Sequence, residues 1–361
     1  MIFKSKLPNI EIPSTGVYQY ITSNPNNVPE NKVLFIDGTT DEKITFGEFK
    51  SKIKRFAAGL HDKVGFKRGD VLAIVSPNQV DYPVVIFGGK VSPVNPKYTV
   101  SELSYQFSAS GASVIISHPL CLSETIEAAA EAQIPRSQIF LINDKEVNGI
   151  QPYNTLFLDR EFEPIEYTPE EAKHTTVFLC YSSGTTGKNK GVETTHSNIV
   201  ANVKQIVAFE SGFDQNKIFM GVVPFYHIYG LTALLHASLF LGATTVLIPK
   251  FDLTTLCRVI QDYKVNYAHL VPPIILLLVK SPIVKEYDLS SLRVIVSAAA
   301  PLSKSLVDDL FSIHNILVKQ AYGLTETSPF VSCADDNKSA KCSVGMLLPN
   351  IEAKIIAEDG Q

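Results

Sequence analysis

Short runs of Val, Ile, Leu and Phe recur along the chain at 33–36, 71–75, 114–116, 139–142 and 177–179. Because consecutive positions are apolar, these runs read as strands covered on both faces. The stretches between them carry apolar residues three and four positions apart and read as helices. Thr45 with Glu48, and Thr99 with Glu102, set a hydroxyl and a carboxylate three positions apart. At that spacing each satisfies a free amide at the start of a helix. Helices are expected from these caps to about residues 64 and 110, and another over 79–87. The alternation continues with strands at 219–223, 268–271, 294–296 and 316–318, and helices at 253–263 and 303–313. A βαβα order builds parallel sheets with right-handed crossovers. Residues 159–173 are rich in acidic side chains and proline, which places a boundary there between a first α/β lobe, 1–165, and a second, 166–361. Residues 230–248 lack Asp, Glu, Lys and Arg and raise a transmembrane reading. His236, the break at Gly242 and Pro249 favour a buried helix turning into a buried strand, so no stable membrane insertion is expected.

Composition then removes several function classes. With 361 residues, 45% hydrophobic and 19% charged, the chain can bury a large core, which excludes disorder. A net charge of -4 supplies no excess of cations for a phosphate backbone, so nucleic acid is not expected as a partner. Five widely spaced cysteines without a C-x-x-C pair support neither a disulfide framework nor a zinc site. Charge and proline interrupt the N-terminus before an apolar stretch can form, so no secretory signal is read and a cytoplasmic location is expected.

The most informative segment is Tyr181-Ser182-Ser183-Gly184-Thr185-Thr186-Gly187-Lys188-Asn189-Lys190-Gly191, directly after the strand expected over 176–180. Its glycines allow close backbone approach, its hydroxyls donate, and its lysines add charge, which together suit a phosphate. On composition alone a flexible surface turn fits equally. The spacing is not that of a Walker loop, and Asn189 stands where a Ser or Thr would hold magnesium. The order of residues closely resembles the phosphate loop of the adenylate-forming superfamily, written Ser/Thr-Ser/Thr-Gly-Ser/Thr-Thr-Gly-x-Pro-Lys-Gly. That superfamily includes acyl-CoA synthetases, 4-coumarate-CoA ligases, beetle luciferases and peptide-synthetase adenylation domains. Asn189 replaces the usual proline, a change expected to loosen the loop.

Further segments resemble the superfamily in the same order. Pro224-Phe225-Tyr226-His227-Ile228-Tyr229-Gly230 looks like its aromatic-histidine segment, although His227 alone reads first as a satisfied core histidine. Ser297-Ala298-Ala299-Ala300-Pro301-Leu302 resembles the adenine-contacting stretch, with Ala298 in the usual glycine's place. Gln320-Ala321-Tyr322-Gly323-Leu324-Thr325-Glu326-Thr327 resembles Gln-Gly-Tyr-Gly-x-Thr-Glu; alone, it also reads as a capped turn. The segments Ser343-Val344-Gly345 and 349–355 match a largely structural motif, and resemblance runs from about Val33 to the end.

The resemblance implies a fold of two parallel-sheet α/β lobes and a carboxylic acid activated by Mg-ATP, with CoA as acceptor. Ser182, Ser183, Gly184, Thr185, Thr186, Gly187, Lys188 and Lys190 would hold the β- and γ-phosphates. Ala299, Ala300, Pro301, Gln320, Ala321, Tyr322 and Gly323 would face the nucleotide, with Thr325 on the α-phosphate and Glu326 on Mg. His227 would sit beside the carboxylate, and Tyr229, Ala321, Pro329 and Phe330 would shape an aromatic or medium-chain acyl pocket. His227, Thr325, Glu326 and Lys190 are the expected catalytic residues. The chain stops before the superfamily's ribose-binding aspartate and its small C-terminal domain with the catalytic lysine. Slow adenylation and absent thioester formation are therefore expected, with a catalytically inactive nucleotide-binding fragment or interaction module as the alternative. In full-length relatives a peroxisomal address would lie on that C-terminal part. A shortened, strained connection is expected near residues 88–92.

Overall fold

The computed structural model describes residues 1–182, 188–335 and 343–356. The Val/Ile runs become the strands that carry the molecule. Val71–Val75 is buried at every position and sits within a six-stranded sheet. That sheet runs Ile139–Leu141, Ala112–Ser117, Val71–Val75, Lys90–Val94, Thr176–Ser182 and Lys190–Thr195. All neighbours are parallel except the last pair, an antiparallel hairpin in which Ser182 faces Lys190.

The second sheet has nine strands, in the order Met346–Leu347, Phe330–Cys333, Leu317–Gly323, Val294–Ser297, Tyr267–Leu270, Ile218–Gly221, Thr244–Leu247, Val33–Asp37 and Lys43–Thr45. Its centre is parallel and both edges are antiparallel. The sheets do not divide at residue 165. Val33–Asp37 and Lys43–Thr45 belong to the nine-stranded sheet, while Thr176–Ser182 and Lys190–Thr195 complete the other. One apolar cluster, including Phe35, Ile74, Phe178 and Phe225, draws on both halves of the chain.

Both expected capping boxes form. Glu48 N donates to Thr45 Oγ1 at 3.4 Å and Thr45 N to Glu48 Oε2 at 2.8 Å, starting the helix Phe46–Gly59. The same pattern at Thr99 and Glu102 starts Val100–Ser110. The uncharged stretch after residue 229 is core. A wide turn, Tyr229–His236, runs into the helix Ala237–Leu241, left-handed Gly242 and the strand Thr244–Leu247, all buried. Among the described residues no helix is long and apolar enough to cross a membrane.

The helix expected over 79–87 is shorter than its pattern. Only Tyr82–Val85 is α-helical; Gly88 N then bonds back to the Val85 carbonyl and the next strand begins at Lys90. Two consecutive glycines give the helix little reason to continue. Neither Gly88 nor Gly89 takes a left-handed conformation. The connection is sterically tight: a Cβ on Gly89 would lie 2.6 Å from the Phe66 ring.

Candidate active site

The candidate residues gather where strands end. In a parallel α/β sheet the crevice outside the carboxyl ends is where ligands bind. Val294–Ser297 and Leu317–Gly323 are neighbours with Ser297 opposite Gln320, so the turns that follow them stand side by side. Thr176–Ser182 ends nearby, and Ser182 Oγ donates to Glu326 Oε1 at 3.3 Å across 144 positions. The two strongest sequence motifs therefore meet. Ser183, Gly184, Thr185, Thr186 and Gly187 lie outside the described residues, and Lys190 faces Ser182 across the hairpin that closes them off.

The sequence does not betray what anchors this loop. Tyr105 Oη donates to the Asn189 carbonyl at 3.1 Å, Asn189 Nδ2 donates to Tyr98 Oη at 2.8 Å, and Lys188 Nζ stands 4.8 Å above the Tyr105 ring. Asn189 is thus held at backbone and side chain. Tyr98 just precedes the capped helix Val100–Ser110 and Tyr105 lies in its middle, a relation no local pattern carries.

In the turn after Val294–Ser297, Ala299 rather than Ala298 takes the left-handed conformation, with φ 72°. Alanine at the usual glycine position therefore meets no backbone strain, and the cost moves one residue on. Ala299, Ala300 and Pro301 are exposed. Gln320 is buried, and its Oε1 accepts from Leu302 N at 3.2 Å. That bond ties the alanine turn to the neighbouring strand, a positioning role.

Tyr322 is 48% exposed, leaving its ring face available, whereas Thr325 is buried and Glu326 exposed. Gly323 has a steric reason to be glycine: a Cβ there would fall 2.0 Å from the Pro329 carbonyl oxygen. Ala321, Pro329 and Phe330 are buried behind this turn. Phe330 is clamped by Asn202 of the helix His196–Phe209, which donates to its carbonyl at 2.8 Å and accepts from its N–H at 3.1 Å.

His227 keeps an exposed edge while the protein packed around it lowers its pKa from the ordinary histidine value. Its Nδ1 accepts from Tyr229 N at 3.2 Å, which assigns the proton of the neutral ring to Nε2. Nε2–H is then a donor suited to a carboxylate. Upstream, Asn78 pins this segment: Nδ2 donates to the carbonyls of Gly221 and Val223 at 3.1 and 2.9 Å, and Oδ1 accepts from Phe225 N at 2.8 Å. Tyr229 is buried, its hydroxyl donating to the Val296 carbonyl at 3.0 Å and lying 3.1 Å from His269 Nδ1. Burial drops the His269 pKa to about 3, so that ring stays neutral. Asn202 and His269 are site-building residues that sequence reasoning did not single out, and the anchoring role of Asn78 was likewise not legible there.

The remaining question is whether another protein combines these elements. Over residues 22–361 the chain matches the family described as AMP-binding enzyme. It is 35% identical to 4-coumarate–CoA ligase of Pinus taeda, over 98% of this chain and 67% of that enzyme. Its structure superimposes with a TM-score of 0.88 on a long-chain-fatty-acid-CoA ligase, FadD1, from Archaeoglobus fulgidus, at 24% identity over 99% of this chain and 74% of that one. ATP-bound MatB from Rhodopseudomonas palustris superimposes at 0.79, with 21% identity over 92% and 64%. The chain thus spans about two thirds of the length of its curated relatives. With the phosphate-loop strand, the alanine turn and the Tyr322–Glu326 turn all in one crevice, this chain belongs to the AMP-binding enzyme family.

Proposed function

We propose that the chain activates a carboxylic acid with Mg-ATP to an acyl-adenylate and pyrophosphate, with the thiol of CoA as acceptor in a second step. The observation that carries this reading is the Ser182–Glu326 hydrogen bond, which joins a phosphate-loop hydroxyl to a carboxylate. Glu326 makes no ion pair with the described residues, and no cluster of three metal-ligating side chains occurs among them. A single free carboxylate beside a phosphate loop fits magnesium, which takes one or two carboxylates and completes its shell with substrate phosphates and water. Bound there, the metal would neutralise phosphate charge as a Lewis acid.

The chain's own residues do the positioning, the main contribution to such transfers. Lys190 and Ser182 would hold the outer phosphates and Thr325 the inner one. His227 Nε2–H would orient the substrate carboxylate, so that its oxygen forms a bond to the α-phosphorus as the bond to the β-phosphate oxygen breaks. Ala321, Phe330 and Tyr229 exclude water from the acid, whose class is aromatic or medium-chain. Carboxylate-dependent exchange of pyrophosphate into ATP tests the reading, with coumarate, caffeate and fatty acids of graded length. Exchange above that of the Lys190→Ala, Glu326→Gln double variant is expected. A folded chain that binds ATP and exchanges with no acid would overturn the proposal.

A further inference from the structure

A cavity of about 450 Å³ lies in the six-stranded sheet's half of the molecule, away from the nucleotide crevice. Thr175, Thr176 and Val177 line it at the amino end of Thr176–Ser182, and Lys90 at the amino end of Lys90–Val94. Ser182 ends the same strand at the active site, six residues on, which is about 20 Å at the rise of a β-strand. The two sites therefore occupy opposite ends of one sheet.

The cavity follows from the short crossover. Tyr82–Val85 provides one helical turn where neighbouring crossovers provide full helices such as Val100–Ser110. Ile53 and Ala57 of Phe46–Gly59 line it together with Val17 and Tyr18 of the helix Val17–Thr22. Ile86, Phe87 and Phe162 complete an apolar interior. The volume lies in the range of ligand pockets, roughly 300–1,000 Å³.

Cations predominate in its lining, while Glu161 and Glu163 lie near its Tyr18 and Glu171 near its Tyr167. Lys54, Lys67, Arg68 and Lys90 line the cavity and no carboxylate does. Lys54 is paired with Glu161 at 3.3 Å, and Arg68 with Glu171 at 2.8 Å. Lys67 and Lys90 make no ion pair among the described residues. The strand register sets Lys90 opposite Val71, beside the turn that holds Lys67. His196, whose Nδ1 accepts from Val17 N at 3.2 Å, lines the wall and is held neutral by burial.

We propose that this cavity is a second ligand site, taking a monocarboxylate with a long apolar tail, the tail against Ile53, Ala57 and Phe87 and the head on Lys90. An uncommitted ammonium is a point charge suited to a monovalent head, whereas the guanidinium of Arg68, the group that would favour phosphate, already donates to Glu171 through Nη2. The inference is independent of the adenylation reading.

Laurate binding by isothermal titration calorimetry without ATP tests it, with 1-dodecanol and dodecyl phosphate in parallel. Ala57→Phe fills the cavity from a half-buried helical position, and Lys90→Glu reverses the charge at its mouth; neither residue belongs to the crevice. The wild type is expected to bind one laurate equivalent that Ala57→Phe lacks and that Lys90→Glu binds at least about tenfold more weakly, with dodecanol weaker than laurate. An equivalent lost in Ala57→Phe cannot reside in the acyl pocket. Superimposable laurate isotherms for the wild type and Lys90→Glu would overturn the proposal, as would the absence of saturable binding. That arm decides the matter even if Ala57→Phe unfolds. Tighter binding of dodecyl phosphate than of laurate would overturn the carboxylate assignment.

Discussion

Asn78 links the two sheets at the point where His227 is aimed, and its removal gives a quantity that can be worked out beforehand. Replacing it with Ala breaks three hydrogen bonds, of 3.1, 2.9 and 2.8 Å, at a residue 4% exposed. The Gly221 carbonyl keeps a second donor, Ile248 N at 3.3 Å. The Val223 carbonyl and Phe225 N–H are left with no partner in the fold. At about 1–2 kcal/mol for each orphaned group, the loss comes to about 2–4 kcal/mol. Urea unfolding followed by far-UV circular dichroism measures it, since the chain has no tryptophan. With a slope of about 3 kcal/mol per molar urea, the midpoint falls by about 1 M. Asn78→Asp should be worse than Ala at neutral pH, because a carboxylate would face two carbonyls. Its pKa in the fold would be raised, so its stability deficit against the wild type should grow as pH rises from about 4 to 7. Pyrophosphate exchange in the Ala variant should fall at least about tenfold, as the segment carrying His227 loses its anchor. A stability loss under about 1 kcal/mol, or an Asp deficit independent of pH, would refute the reasoning.

Three other measurements probe separate parts of the molecule. Lys319 and Glu210 form a buried ion pair at 2.7 Å, so Lys319→Met should cost about 3–5 kcal/mol by taking the cation from a buried carboxylate, while Lys319→Met with Glu210→Leu recovers much of it; equal losses for single and double variants would count against this. Ala299→Gly relieves a left-handed alanine and should raise stability by about 0.5 kcal/mol after the added chain entropy is counted, which thermal unfolding can detect. Burial lowers the pKa of His236 to about 4, so its contribution is complete above the unfolded value near 6.5 and is lost as pH falls toward 4. His236→Leu should reduce the slope of stability against pH in that window by about 1.4 kcal/mol per unit, measured by urea unfolding across the pH range.

What could be read from sequence was local. The capping boxes needed only four residues each, and the run 71–75 needed only its own β-branched side chains to announce a strand buried on both faces. The phosphate segment was legible because its glycines and hydroxyls stand in one uninterrupted order. What escaped depends on residues far apart in the chain. Asn78 reaches a carbonyl 145 positions away, and Asn202 one 128 away. Neither asparagine differs locally from one in a surface turn. The proposed division at residue 165 followed composition, whereas strand partners are chosen by edges that meet only in the folded state. The helix over 79–87 shows the limit of periodicity, since its apolar pattern runs to Phe87 while the α-helix stops at Val85, ahead of the two glycines.

The exchange of strands between the two sheets also sets a timetable for synthesis. Thr244 Oγ1 bonds to the Val33 carbonyl across 211 positions, and the strand Val33–Asp37 pairs with Thr244–Leu247 along its length. At about 5–20 residues per second, the ribosome takes about 10–40 s to deliver that partner. Until then Val33–Asp37, with Leu34 and Phe35 fully buried in the finished fold, leaves the tunnel with an open hydrogen-bonding edge. The nascent chain is accordingly a substrate for chaperones that bind extended apolar segments, and slowing translation before residue 244 should increase its capture by them.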